Sequence, residues 1–346
     1  MTLSTRQLNR SLLARQGLLE RSRVPALEMV ERLVGMQAQV PENPYVALWS
    51  RIEDFDPHEL SDLIAERRAV RAHAMRSTIH LLSARDCLAI QPLTQDVLIR
   101  GFSKARRREM GGADPHAVAA AGLELLREQP LTRAELSRLL ADRWPGAEPQ
   151  HLGYAVTTHT RLVHVPPRGL WPGGSRVAFA PTDDWLAQHE PTTTTVDELV
   201  LRYLAAFGPA TPADARTWSG LTGLREVFER LRPQLRTFRD ERGRELFDVP
   251  DAPFPDPDTP APPRFLPEYD NVALSHDGRS RIIGPGWPGQ PPPGQRWIGS
   301  LLVDGFYRGR WRISADGELH IEGIDPTPEI EAEGKRLLEL VSSAAR

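Results

Sequence analysis

The chain has 346 residues, 40% of them hydrophobic, so two to four folded cores are expected and nothing in the composition marks disorder. A net charge of −3 excludes a uniformly basic nucleic-acid binder and confines any phosphate-contacting surface to local patches. One cysteine, Cys87, excludes an intrachain disulfide and a thiolate zinc cluster. With no membrane-length apolar run and no signal layout at Met1–Arg6, a cytoplasmic protein without a membrane partner is expected.

Only Lys104 and Lys335 are lysines among 43 basic residues. A GC-rich coding sequence accounts for this, while arginine is also the better bidentate partner of phosphate and guanine. Composition does not separate the two.

In chain order, helical patterns cover about 4–14, 25–34, 44–50 and 57–66, followed by paired strands at 70–75 and 78–82. Lys104-Ala105-Arg106-Arg107-Arg108 is the densest basic cluster; it reads either as a solvated connector or as a phosphate contact. A second unit begins with an apolar stripe at Val118, Gly122, Leu125 and Leu126. Thr132 and Glu135 then have capping-box spacing ahead of Leu136, Leu139 and Leu140. A third helical stretch, 149–162, leads into extended runs at 162–165 and 176–179. The order recurs. Thr195 and Glu198 cap a helix broken at Gly208-Pro209, Thr211-Pro212 opens the next, and a helix near 224–231 precedes a hairpin with its tip at Asp240–Gly243.

Three helices and then a hairpin is the element order of a winged helix. The expected fold is therefore α+β: three tandem winged-helix modules at 1–110, 111–190 and 191–250, a proline-rich linker at 251–263, and an antiparallel β domain at 264–346 that ends in a helix. In that domain the runs 272–274, 281–283, 297–303, 306–313 and 319–321 read as strands. Asp277-Gly278, Asp304-Gly305 and Asp316-Gly317 read as turns, and the run 285–295 as a flexible tip. Modules in tandem can form a C-shaped channel along a duplex, so a DNA partner is expected.

No catalytic constellation emerges from spacing. HExxH, GxxxxGK[ST] and GxSxG are absent, and no metal or cofactor is expected. Glu53-Asp54 and Asp183-Asp184 suit turns and caps.

Three segments carry more. Gly35-Met36-Gln37-Ala38-Gln39-Val40-Pro41, Met75-Arg76-Ser77-Thr78-Ile79-His80-Leu81, and the C-terminal set Phe265–Asn271, Ser275–Arg281 and Leu302–Phe306 together resemble the bacterial winged-helix DNA glycosylases of the AlkZ and YcaQ type, in order and over nearly the whole chain. The resemblance implies removal of alkylated bases. In the AlkZ branch it implies unhooking of interstrand crosslinks made by a DNA-alkylating antibiotic, which is a self-resistance role. It also implies that Gln37 and Gln39 are the catalytic pair, Gln37-Ala38-Gln39 being the two-glutamine form of the family's signature. By residue type alone, a Gln-x-Gln after a helix is ordinary surface.

Two amides suit this chemistry. A guanine alkylated at N7 is already cationic and leaves readily, so what remains is to orient water and sugar. If the segment is extended, residues i and i+2 share a side, and Gly35 and Pro41 favour departure from the helix. No lysine lies near the motif, so a monofunctional hydrolase is expected; a monomer is also expected, though nothing in the residues fixes the oligomeric state. A crosslinked base cannot rotate out freely, which predicts an open groove over Gln37 and Gln39. Arg76, Lys104, Arg106, Arg107, Arg108, His276, Arg279 and Arg281 are the candidate DNA contacts; for His276, Arg279 and Arg281, bonding within a turn is the equal alternative. The competing function is a non-catalytic winged-helix regulator, and a broad alkylation-repair glycosylase without crosslink activity is a further possibility.

Overall fold

The computed structural model describes residues 1–284, 287, 289 and 297–343. The run predicted as a flexible tip, 285–295, lies outside the described residues except for Trp287 and Gly289.

The chain opens with β1 (Thr2–Leu3), α1 (Thr5–Arg15), α2 (Ala26–Arg32), β2 (Met36–Gln37), α3 (Asn43–Trp49) and α4 (Pro57–Ala65). Next come a hairpin, β3 (Ala69–His73) and β4 (Ile79–Ser83), a long helix α5 (Ala84–Arg100) and a short one, α6 (Lys104–Arg108). Ser4 and Asp56 cap α1 and α4 by accepting from Gln7 N and His58 N. The spacing gave no helix at α5. Pro92 interrupts its pattern, and its buried face includes Asp86, Gln91 and Thr94, which blur the apolar stripe.

The middle holds α7 (Pro115–Glu128), β5 (Leu131–Thr132), α8 (Arg133–Ala141), α9 (Pro149–His159), β6 (Leu162–His164), β7 (Ala178–Pro181) and α10 (Thr182–Trp185). It is followed by α11 (Val196–Phe207), α12 (Pro212–Ser219), α13 (Leu224–Leu231), β8 (Arg236–Asp240) and β9 (Glu245–Asp248). Both predicted capping boxes form, and Thr211 with Asp214 makes a further one at α12.

The last part comprises β10 (Arg264–Pro267), α14 (Asn271–Leu274), β11 (Ile298–Val303), β12 (Phe306–Ile313), β13 (Leu319–Glu322) and α15 (Pro328–Ser343). Two expected strands are not strands. Residues 272–274 belong to α14, because Asp270, fixed by Arg51, accepts from Val272 N and starts a helical turn. Arg281 ends a 3₁₀ turn, and Ile283 makes only an isolated bridge to Tyr307. Asp304-Gly305 does form the two-residue hairpin turn, with φ of 49° and 79°.

Among the described residues the strands form three sheets, ordered β2-β4-β3-β6-β7-β5, β10-β11-β12-β13 and β1-β8-β9. The first joins strands from the first two predicted units through β3 and β6, and the third pairs the N-terminal strand with the hairpin of the third unit. One apolar cluster gathers Leu12, Val70, Ile90, Val163, Leu204, Phe228 and Leu302, so packing crosses every predicted boundary. Ion pairs tie distant parts of the chain together: buried Arg15 grips buried Asp248 at 2.6 and 2.7 Å, buried Arg10 reaches the exposed Asp304, and buried Arg21 reaches buried Glu333 at 2.5 Å.

Candidate active site

The Gln37-Ala38-Gln39 segment leaves the helix: Met36 and Gln37 form β2, and the chain bends at Gln39. After α2 the chain reverses at Val34 and Gly35, with φ of 55° and 86°. A side chain at position 35 would sit 2.4 Å from Leu82 Cδ2 and 3.0 Å from Leu81 O, so glycine is required twice over, by backbone angle and by space. The segment then pairs antiparallel with β4, setting Gln37 opposite His80, and Ala38 N donates to Ile79 O at 2.7 Å. Met36 and Ala38 are buried; Gln37 is 9% exposed and Gln39 is exposed.

Each amide is held at its oxygen. Arg76 Nη2 donates to Gln37 Oε1 at 2.7 Å, and Ile79 N donates to Gln39 Oε1 at 3.3 Å. Guanidinium and peptide N–H are donors only, which sets both amide orientations without ambiguity. Neither NH2 group donates to protein among the described residues. Asn271 fastens the strand from behind: its Oδ1 accepts from Gln37 N at 3.2 Å and its Nδ2 donates to Gly35 O at 2.8 Å. Spacing alone gave no role to Asn271, since its partners lie 234 and 236 positions away.

The surroundings are cationic guanidinium and neutral imidazole. Arg71 on β3 is buried and donates from Nη2 to Ala38 O at 2.7 Å; burial, then Arg168, pulls its pKa down to about 10. Burial likewise lowers Arg76 to about 10. His80 falls to about 3 through burial and then Arg76, and His73 falls to about 4 through burial and then Arg133. These imidazoles are therefore uncharged near neutral pH. Glu268, within the Phe265–Asn271 segment, is buried; its backbone O accepts from Asn43 Nδ2 at 2.6 Å, and burial raises its carboxyl pKa. The arrangement offers directed N–H donors and fixed positive charge, without a histidine poised to exchange protons at neutral pH.

The other candidate residues divide. Lys104, Arg106, Arg107 and Arg108 form α6, where the three arginines follow a Ser103 cap; Arg106 lies half-buried over Tyr154, and the rest are exposed. Gly101, just before α6, abuts the turn at Met75–Ser77: a Cβ there would lie 3.9 Å from Ser77 Oγ. Arg279 is exposed. His276 and Arg281 are corrections to the expected DNA contacts. Both are 4% exposed. Their nitrogens are used internally, His276 on Phe207 O at 3.0 Å and Arg281 on Pro209 O at 2.9 Å, which ties this stretch to the loop before α12. Among the described residues no group of three His, Cys, Asp or Glu side chains is placed to hold a metal, and no helix is long and apolar enough to cross a membrane.

The chain is similar to known DNA glycosylases. A curated interstrand DNA cross-link repair glycosylase of Streptomyces sahachiroi is 28% identical over 265 residues, spanning 72% of this chain and 68% of that protein. The solved structure of the Streptomyces sahachiroi DNA glycosylase AlkZ superposes with a TM-score of 0.78 at 22% identity, covering 100% of this chain and 98% of that one. The model of the family described as DNA glycosylase AlkZ-like matches residues 30–340, and the chain belongs to that family of N-glycosyl hydrolases.

Proposed function

We propose that the protein hydrolyses the N-glycosidic bond of N7-alkylated guanine in duplex DNA, including guanine tied into an interstrand crosslink. The observation that carries this reading is the Gln37–Gln39 segment at the end of β2, whose amide oxygens are engaged by fixed donors while their NH2 groups have no protein partner among the described residues. The substrate's leaving group is a cation that becomes neutral as the bond breaks, so catalysis needs orientation more than proton transfer. Gln37 NH2 is suited to donate to the purine edge that gains electron density. Gln39 keeps a second lone pair and an NH2, enough to orient a water towards C1′. With no lysine near the motif, water rather than an amine is the nucleophile and an abasic site is the product.

In this reading the helix–hairpin units act as winged helices along the duplex, with α6 and Arg279 on the phosphate side. The name of the Streptomyces sahachiroi relative supports crosslinks as a substrate. A duplex with one N7–N7 crosslink, incubated with enzyme in excess and resolved on a denaturing gel, tests the proposal. Separation of the strands with release of free adducted base is the expected result. Tight binding with no release at any excess would favour a DNA-binding regulator instead.

A further inference from the structure

We propose that Arg76 is a positioning residue: it locks the Gln37 carboxamide so that its NH2 faces the substrate, and it couples that amide to the end of α12. The proposal rests on the reading that Gln37 acts on the damaged nucleotide. Three observations converge on it.

First, the guanidinium forks between two acceptors. Its Nη2 donates to Gln37 Oε1 at 2.7 Å and its Nη1 to Trp218 O at 2.6 Å. Trp218 lies in the last turn of α12, where carbonyls lack helical partners and a cation is favoured. Gly220, left-handed at the end of that helix, packs so closely that a Cβ would lie 3.4 Å from the Arg76 backbone.

Second, the residue is held at a cost. Arg76 and Ser77 have φ of 56° and 61°, a region that side chains other than glycine rarely adopt. Arg76 is half-buried, and burial rather than any neighbouring carboxylate among the described residues governs its charge. Placing a strained, half-buried cation here adds nothing to a core that a neutral side chain could not supply.

Third, the contact has a chemical consequence. A carboxamide whose oxygen is bonded to a cation has more acidic N–H groups and cannot flip to present its oxygen. Gln37 therefore faces the lesion as a donor. A lysine at position 76 would keep the charge but could not span both acceptors with the same planar fork.

The test uses the full-length protein and a defined duplex carrying one N7-methylguanine, under single-turnover conditions with saturating enzyme. Arg76→Lys is expected to slow base release by on the order of 10- to 100-fold, the value of a charge-assisted hydrogen bond. Its dissociation constant for the duplex should stay within about threefold of wild type. Adding Arg76→Lys to Gln37→Ala should slow release no further than Gln37→Ala alone, a coupling that a merely structural role would not produce. Wild-type release at saturation by Arg76→Lys, or a full additional loss in the double variant, would overturn the proposal. If Arg76→Lys does not fold by circular dichroism, Arg76→Gln takes its place with the same expected and overturning results. Failure of the wild type to release base, or a Gln37→Ala variant as fast as wild type, would remove the reading beneath the proposal, and this outcome is visible before any change at Arg76.

Discussion

Asp270 joins the N-terminal helices to the segment that fastens the Gln-Ala-Gln strand. Its oxygens accept from Arg51 Nη1 at 2.9 Å and Nη2 at 2.7 Å, with side-chain exposures of 0% for Arg51 and 1% for Asp270. Asp270→Asn preserves size and an acceptor for Val272 N, yet leaves the guanidinium buried opposite a neutral amide. Breaking a buried pair from one side costs about 3–5 kcal/mol. With about 2.1 cal/mol/K of unfolding entropy per residue, a chain of 346 residues loses roughly 5–6 °C of Tm for a loss of about 4 kcal/mol. Base release should fall as well, because Asn271 is the next residue and its grip on Gln37 N depends on where Asp270 holds the chain. Replacing both partners by apolar residues, Arg51→Met with Asp270→Leu, should recover most of the lost stability, since no charge is then stranded. Differential scanning calorimetry on the three proteins is the assay. An Asp270→Asn variant that melts with wild type, or a double variant that melts below the single, would refute the reasoning.

Gly35→Ala meets both a left-handed backbone and Leu82, so a loss of about 2–4 kcal/mol and a sharp fall in base release are expected; an active variant with wild-type Tm would contradict the geometry. His80 and His276 are buried with pKa values near 3 through burial, against about 6.5 when unfolded. The unfolded chain then binds more protons between these values, so stability is complete above pH ~6.5 and is lost on acidification towards pH ~3, by up to about 1.4 kcal/mol per pH unit per histidine. Thermal melts at neutral and mildly acid pH check this, and equal Tm values would count against it. By the same electrostatics, base release should be flat from about pH 6 to 8 and indifferent to EDTA. Changing Arg106, Arg107 and Arg108 together to Ala should weaken duplex binding and flatten its salt dependence by up to about 0.9 in logarithmic slope for each phosphate left unneutralised; an unchanged slope would place α6 away from DNA.

What could be read from the sequence was local. The capping boxes at Thr132 and Thr195 are decided within one helical turn, so spacing found them. Gly35 before the Gln-Ala-Gln segment and Pro41 after it favour departure from the helix, and the chain does leave it there, as strand up to Gln37. What escaped depends on distant partners. The short apolar run 272–274 suits strand or helix equally, and Arg51, acting through Asp270, decides for helix. For His276 and Arg281 the sequence leaves DNA contact and bonding within a turn equally open, and the distant carbonyls of Phe207 and Pro209 draw both inside. Arg76 stands out in the sequence only as a candidate DNA contact, since its partners lie 39 residues back at Gln37 and some 140 residues ahead in α12.

The two amides are the centre of the proposed chemistry, and base release under single turnover tests them most directly. Gln37→Ala and Gln39→Ala should each bind a duplex containing N7-methylguanine within about threefold of wild type while releasing base at least on the order of 10-fold more slowly. Variants that release base at the wild-type rate would contradict a catalytic role for either side chain.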